Sequence, residues 1–187
     1  MIETLTNIFT GEFFWGIVIG VILSLASAVV ATRYQAAQTR VERNITIRKF
    51  LADAIENIRE YGDRLSDLRE RSKVIDQEFL NLMDVEITIY GRNREHLIWI
   101  ANDGVRKEVL DFFNKLASHI VRIRFYLNEF QKGFDLVRNG NLDQVRKSEI
   151  EAAYNIQLAE AHKRCDALIS HIKSHNQLTD KLRIGKV

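Results

Sequence analysis

Proline does not occur anywhere in this chain of 187 residues, and cysteine occurs once, at Cys165. Without proline, no helix loses an amide donor or meets a fixed φ angle, so long helices are favoured. A single cysteine excludes an internal disulfide, and with it the stapled scaffold of small secreted domains. These absences predict a helical protein whose bulk lies in a reducing compartment.

A large excess of charge is also missing. The 27 basic and 25 acidic side chains leave a formal net charge of +2. That balance argues against a general nucleic-acid-binding protein, so any such binding would have to come from a local basic patch. The length is sufficient for one moderate hydrophobic core and one further element, so we expect one domain and an anchor.

The common catalytic signatures are absent as well. The chain has no glycine-rich phosphate loop and no HExxH, CxxC or GxSxG motif. His171 and His175 have the four-residue spacing of helical metal ligands, but no third ligand is close in sequence. We therefore expect no metal ion, no cofactor and no enzymatic activity, with a ribonuclease as the alternative described below.

Residues 13–32 carry no charged side chain and, as a helix, extend over about 30 Å, the thickness of a bilayer's hydrocarbon core. The sequence therefore predicts a transmembrane helix over residues 12–34. A cleaved signal peptide would need a basic amino-terminal region, whereas residues 1–12 contain Glu3 and Glu12 and no Lys or Arg. We interpret the segment as a retained anchor.

Basic residues follow the predicted span, and they are Arg33, Arg40, Arg43, Arg48 and Lys49. Because positive charge is retained on the cytoplasmic side, we expect a single-pass protein of the inner membrane, with residues 1–11 outside and residues 35–187 in the cytoplasm. We expect Arg33, Arg40, Arg43 and Lys49 to attract anionic lipid headgroups, each by about 1 kcal/mol near the surface. The alternative is that they are only solvent-exposed residues at the start of a helix.

One face of the predicted span consists of small residues, and they are Gly16, Gly20, Ser24, Ala28 and Thr32. In lipid, small side chains let helix backbones approach closely, and van der Waals contact then drives association. The four-residue spacing therefore predicts a homo-oligomer that assembles through the span. The alternative is that glycine and alanine are simply frequent in membrane helices.

The rest of the chain has the apolar spacing of a helical bundle. A heptad seam between residues 47 and 82 is interrupted by one polar residue, Ser72, and further apolar faces lie at residues 105–137 and 150–172. We expect an all-α protein in which the anchor continues into a cytoplasmic antiparallel bundle containing one long heptad-patterned helix. The sequence leaves open whether the seam closes within one chain or between chains. A second apolar strip on the 105–137 helix is predicted to include Phe113 and Val121.

Residues 84–104 are the least regular part, and we expect a short helix between loops there, or a small extended piece. Asp103 and Asn141 are the expected N-caps of the two helices that follow. The tail after about Thr179 is expected to fray.

Near the carboxyl end, the stretch RCDALISH brings Arg164 and His171 onto one helical face. It resembles the loose Arg-four-to-six-His motif of the HEPN superfamily of small helical ribonucleases. The resemblance implies Arg164 and His171 as candidate catalytic residues that face a dimer partner and cleave RNA through its 2′-hydroxyl. The chain departs from the tighter form of the motif, in which a polar residue directly follows the arginine, because Cys165 stands there.

A single amino-terminal span, a small helical body and this motif together resemble the small membrane-anchored accessory proteins of type VI CRISPR systems. That resemblance implies a ring-shaped membrane pore that strengthens antiviral defence. Our first hypothesis is therefore a self-assembling membrane protein that forms a pore or perturbs the bilayer. The alternatives are a passive membrane-tethered scaffold or sensor that docks a protein partner on the cytoplasmic face, and a membrane-tethered ribonuclease.

Overall fold

The computed structural model describes residues 12–72, 74–140 and 142–184, with side chains from Ile19 onward. Within these ranges the secondary structure is helical and contains no strand, which confirms the all-α prediction. The chain divides into two compact units, Met1–Arg43 and Asn44–Val187. The predicted extracytoplasmic residues 1–11 lie outside the described ranges, and the predicted domain start at residue 35 stays a prediction.

The first helix, α1, is Glu12–Ser72. At its last residue the hydroxyl of Ser72 donates a hydrogen bond to the carbonyl oxygen of Leu68 over 2.8 Å, and residues 74–76 are not helical. The predicted seam over residues 47–82 therefore does not lie on one continuous helix. That part of the prediction is wrong, because a second helix begins at Gln77 after the N-cap residue Asp76.

The second helix, α2, is Gln77–Asn93. Its N-cap is Asp76, whose carboxylate accepts a hydrogen bond from the backbone amide of Glu78 over 2.8 Å. Aspartate is among the strongest N-cap residues, since its side chain satisfies an amide that has no helical partner. Asp76 was therefore the sequence signal for the break inside the heptad pattern.

The stretch at residues 84–104 is more regular than predicted. Helix α2 continues to Asn93, and a 3-10 helix follows at Arg94–Trp99. Tyr90 is buried, and its ring stacks on Phe113 with a centroid separation of 3.9 Å. The expected extended piece is thus wrong, because tertiary contact overrides the β-branched composition of this stretch.

The third helix, α3, is Asp103–Asn139. Its N-cap is Asn102, whose side-chain oxygen accepts from the amide of Val105 over 3.1 Å. The cap predicted at Asp103 is wrong by one residue, since both neighbouring side chains are of the capping type and only one of them reaches the amide.

The fourth helix, α4, is Gln144–Ser174. Asp143 caps it by accepting from the amide of Arg146 over 2.8 Å. The predicted cap, Asn141, lies outside the described residues, and Asp143 fills the cap position in its place. The prediction is wrong by two residues because aspartate and asparagine cap equally well.

Helices α3 and α4 pack against each other in antiparallel orientation. Phe112 lies beside His171 towards one end of the pair, and Phe134 lies beside Tyr154 towards the other. The backbones approach closely at Gly133, where a Cβ atom would lie 2.7 Å from the Cβ of Tyr154. Any larger residue at this position would therefore force the helices apart.

The core of the second unit closes the heptad seam within one chain. Leu51, Ile58 and Leu65 of α1 are at most 1% exposed. The other helices contribute apolar side chains that are at most 2% exposed, among them Leu80, Met83, Val109, Phe112, Leu116, Ile120, Leu168, Ile172 and Leu182. In the second strip on α3, Phe113 is buried as predicted, whereas Val121 is 66% exposed and that prediction is wrong.

The last helix, α5, is Leu178–Ile184. Leu178 and Leu182 are 0% and 2% exposed, and the ammonium of Lys181 pairs with Glu108 of α3 over 2.8 Å. The expectation that the tail frays after Thr179 is therefore wrong as far as Ile184. Burial of the two leucines supplies the stability that so short a helix lacks by itself.

Candidate functional site

Residues 19–32 of the first unit form an apolar stretch of helix that is exposed along its whole length. It belongs to the one helix in the described ranges that is long and apolar enough to cross a membrane, and its most apolar window is 0% buried. Large side chains on every side are more than half exposed, and they are Ile19, Val21, Ile22, Leu23, Leu25, Val29 and Val30. A helix that is apolar all round suits hydrocarbon surroundings and not water.

The small-residue face lies within this helix. A Cβ atom at Gly20 would have no atom within 4 Å, and Ser24 and Ala28 are exposed. The hydroxyl of Thr32 donates to the carbonyl oxygen of Ala28 over 2.8 Å, so its hydrogen-bonding capacity is used within the helix. The surroundings of Gly16 lie outside the described positions. The face is therefore open to a second helix, and its role in assembly stays a prediction.

The basic residues after the span do not all face solvent. Arg33, Arg40, Arg43 and Lys49 are exposed, so each can contact a charged surface. Arg48 is 7% exposed, and its guanidinium donates to the carbonyl oxygen of Lys181 in α5 over 2.9 Å. Arg48 is therefore a buried link between α1 and α5 and is not exposed as the other four basic residues are.

In the second unit, the motif residue His171 lies between α3 and α4. Its Nε2 is 3.1 Å from the carbonyl oxygen of Phe112, and its ring stacks on the Phe112 ring at a centroid distance of 5.4 Å. A carbonyl oxygen only accepts, so Nε2 carries the proton and donates it. This arrangement suits a histidine that joins two helices.

Two further histidines meet His171. The ring of His175 lies 4.5 Å away between centroids, and that of His119 on α3 lies 5.9 Å away. The Nδ1 of His175 donates to the carbonyl oxygen of His171 over 2.9 Å, while the Nδ1 of His119 is buried and has no hydrogen-bond partner. We define His119, His171 and His175 as the histidine cluster. His119 was not identified from the sequence, since only the pairing of α3 with α4 brings it near.

The environment of His119 and His171 favours neutral imidazoles. Burial lowers the pKa of His171, and the nearby His175, His119 and Lys115 lower it further, although the hydrogen bond to Phe112 acts in the opposite direction. Burial also lowers the pKa of His119, assisted by the positive charges of Arg122, Arg164 and Lys115. Both rings are therefore held towards the neutral form at neutral pH.

The second motif residue, Arg164, lies on the same side of α4 and acts electrostatically on His119. Its side chain is 31% exposed, and its Nε lies 4.0 Å from a carboxylate oxygen of Glu160, beyond hydrogen-bonding distance. The structure thus brings Arg164 and His171 to one region, as the motif predicts. The role of these two residues in catalysis stays a prediction, because the described contacts of His171 are structural.

Metal and thiol chemistry find no support among the described side chains. No group of three His, Cys, Asp or Glu residues in the described ranges is placed to hold a metal ion. Cys165 is fully buried, and burial raises the pKa of its thiol to about 11. A thiol of that kind stays protonated at neutral pH and is a weak nucleophile.

The described residues define an all-α protein: a helical bundle with one amino-terminal helix long and apolar enough to span a membrane. No protein-family model, no curated protein and no solved structure matches the chain.

Proposed function

We propose that the protein is a single-pass membrane-anchored helical protein whose copies assemble through the span, and that the assembly opens or perturbs the bilayer. The observation that supports this best is the apolar stretch of helix between residues 19 and 32, in which every residue is exposed. Such a surface is satisfied by lipid, by another copy, or by both. The proposal assigns the small-residue face to another copy and the large residues to lipid.

The heptad seam does not supply the contact between copies. The heptad seam of α1 is filled by side chains of the same chain, so it needs no second chain to bury it. Gly20, Ser24 and Ala28 present no large side chain on their face of the helix. Close backbone approach at such a face is how helices associate in lipid, where no hydrophobic force drives them together.

The orientation is part of the same proposal. The exposed Arg33, Arg40, Arg43 and Lys49 would face the cytoplasmic leaflet, where positive charge is retained and anionic headgroups are attracted. The bundle would then lie in the cytoplasm. A role in antiviral defence is supported by the resemblance to type VI CRISPR accessory proteins described above.

Assembly can be tested with a matched pair of alanines in the span. Ala28 lies on the small-residue face, whereas Ala26 is two positions away and points to a different side. We expect Ala28→Ile and Gly20→Ile to weaken association by about tenfold or more, since a bulky side chain blocks backbone contact. Ala26→Ile should leave it unchanged. The measurement is particle mass in mild detergent over a range of protein concentrations.

Depolarisation of cells that express each variant provides the functional readout. A monomeric wild type, or an Ala28→Ile protein as large as the wild type, would contradict assembly through this face and leave the passive tether as the better function. An oligomeric wild type that leaves the membrane potential unchanged would contradict the membrane-perturbing part alone.

A further inference from the structure

The histidine cluster joins helices α3 and α4 of the bundle, and its hydrogen bonds determine which ring nitrogens carry the protons. Nε2 of His171 donates to the carbonyl oxygen of Phe112 across the helix pair, and Nδ1 of His175 donates to the carbonyl oxygen of His171. Each of these bonds is complete with a neutral ring, since one nitrogen carries the proton and the other has a lone pair. The contact therefore needs no positive charge on either imidazole.

The surroundings of the cluster make an added charge unfavourable. Lys115 and Arg122 of α3 and Arg164 of α4 act on these rings with positive charge. The carboxylate of Asp111 is also within electrostatic range of His171, but it is already paired with Lys115 over 2.8 Å. Protonated histidines would thus add to three cations, of which Lys115 is paired with Asp111 and Arg164 lies 4.0 Å from Glu160.

The other charged groups around α4 are engaged elsewhere. Arg69 of α1 bonds to Asp166 and His162 on α4. Glu160 lies 4.0 Å from Arg164, and Lys181 of α5 pairs with Glu108. These pairs do not place a second carboxylate against the histidine rings.

We propose that His119 and His171 form a pH-responsive contact that loosens the pairing of α3 with α4 when the pH falls from about 7.5 to about 5.5, the range in which histidine titrates. The inference concerns the second unit alone and is independent of the function of the span. Acidification would protonate both rings, place two further positive charges beside Lys115, Arg122 and Arg164, and favour an opened helix pair.

The direction follows from the two histidine pKa values, which folding lowers. The opened state keeps values near that of free histidine, about 6.5, and so binds more protons than the closed state below that pH. The stabilising contribution is therefore complete above about pH 6.5 and is lost as the pH falls through the lower values of the closed state.

Hydrogen exchange of the full chain in detergent micelles measures this opening directly. After correction for intrinsic exchange, we expect the equilibrium constant for local opening of residues 112–119 and 164–175 to be at least about threefold larger at pH 5.5 than at pH 7.5. Each extra proton that the opened state binds can raise this opening constant by at most about a hundredfold over two pH units. Peptides of α2 provide the internal reference.

The double variant His119→Gln/His171→Gln should lose this pH dependence, because glutamine does not titrate and its amide can still donate a hydrogen bond. His96→Gln is the matched control, since His96 is half exposed on the 3-10 helix and should keep the wild-type response. Equal opening at both pH values in the wild type, or an unchanged response in the double variant, would overturn the proposal.

If the double variant does not fold, an NMR titration of the wild-type histidines decides the matter. The proposal requires the measured pKa values of His119 and His171 to lie below about 6.5, the value of free histidine. Values equal to or above that of free histidine would refute it.

Discussion

The same residue type has opposite surroundings in the two units of this chain, although both examples lie on one helix. Leu25 is 62% exposed and Leu51 is 1% exposed, and both belong to α1. Around Leu25 the helix is apolar on all sides, whereas around Leu51 the exposed positions include Asp53 and Glu56. The comparison shows that helix formation alone does not determine what an apolar side chain contacts. The distribution of charge around the helix distinguishes a surface for lipid from a surface for a protein core.

The largest effect should come from truncating the buried Leu51, and the same truncation at the exposed Leu25 is its control. We expect Leu51→Ala to lower the free energy of unfolding of the bundle by about 2–5 kcal/mol, since it removes buried methyl groups and leaves a cavity. Leu25→Ala should change it by less than about 0.5 kcal/mol. Denaturant titration of the full chain in detergent, followed by Trp99 fluorescence in a Trp15→Phe background, measures both. Equal losses in the two variants would contradict the separation into two units.

Replacing one exposed valine in each unit by arginine tests whether one exposed surface contacts lipid and the other contacts water. Val21 is 53% exposed in the first unit, and Val145 is 70% exposed in the second. In a lipid-facing helix centre, Val21→Arg should cost about 3 kcal/mol of insertion free energy. Val145→Arg should leave membrane association and bundle stability within about 0.5 kcal/mol of the wild type. Fractionation of membranes gives the first quantity, and Val21→Arg protein that stays fully in the membrane would argue against the span.

The smallest effect concerns two helical glycines. Gly133 lies at the close approach of α3 to α4, while Gly20 has open space around it. Gly133→Ala should destabilise the bundle by about 1 kcal/mol, the balance of overpacking against a gain in helix propensity. Gly20→Ala should leave the free energy of unfolding of the bundle unchanged. A Gly133→Ala protein that is more stable than the wild type would mean that the helices separate there at little cost.

Several elements were predictable because their signals are local. Residues 13–32 lack charge, and the apolar spacing of α3 and α4 is periodic over many turns, so the long apolar amino-terminal helix and the bundle helices follow from the sequence. The break after Ser72 and the caps at Asn102 and Asp143 were missed or misplaced. At those points neighbouring residues have similar capping ability, and geometry selects between them.

The sequence by itself determined that the protein is all-α and that one segment is suited to hydrocarbon, since both depend on composition and period. Only the tertiary structure decided that the heptad seam closes within the chain, that Arg48 is buried against α5, and that His119 joins His171. These three depend on which helix faces cross one another. Contacts between residues far apart in the chain leave no periodic signal in either segment alone.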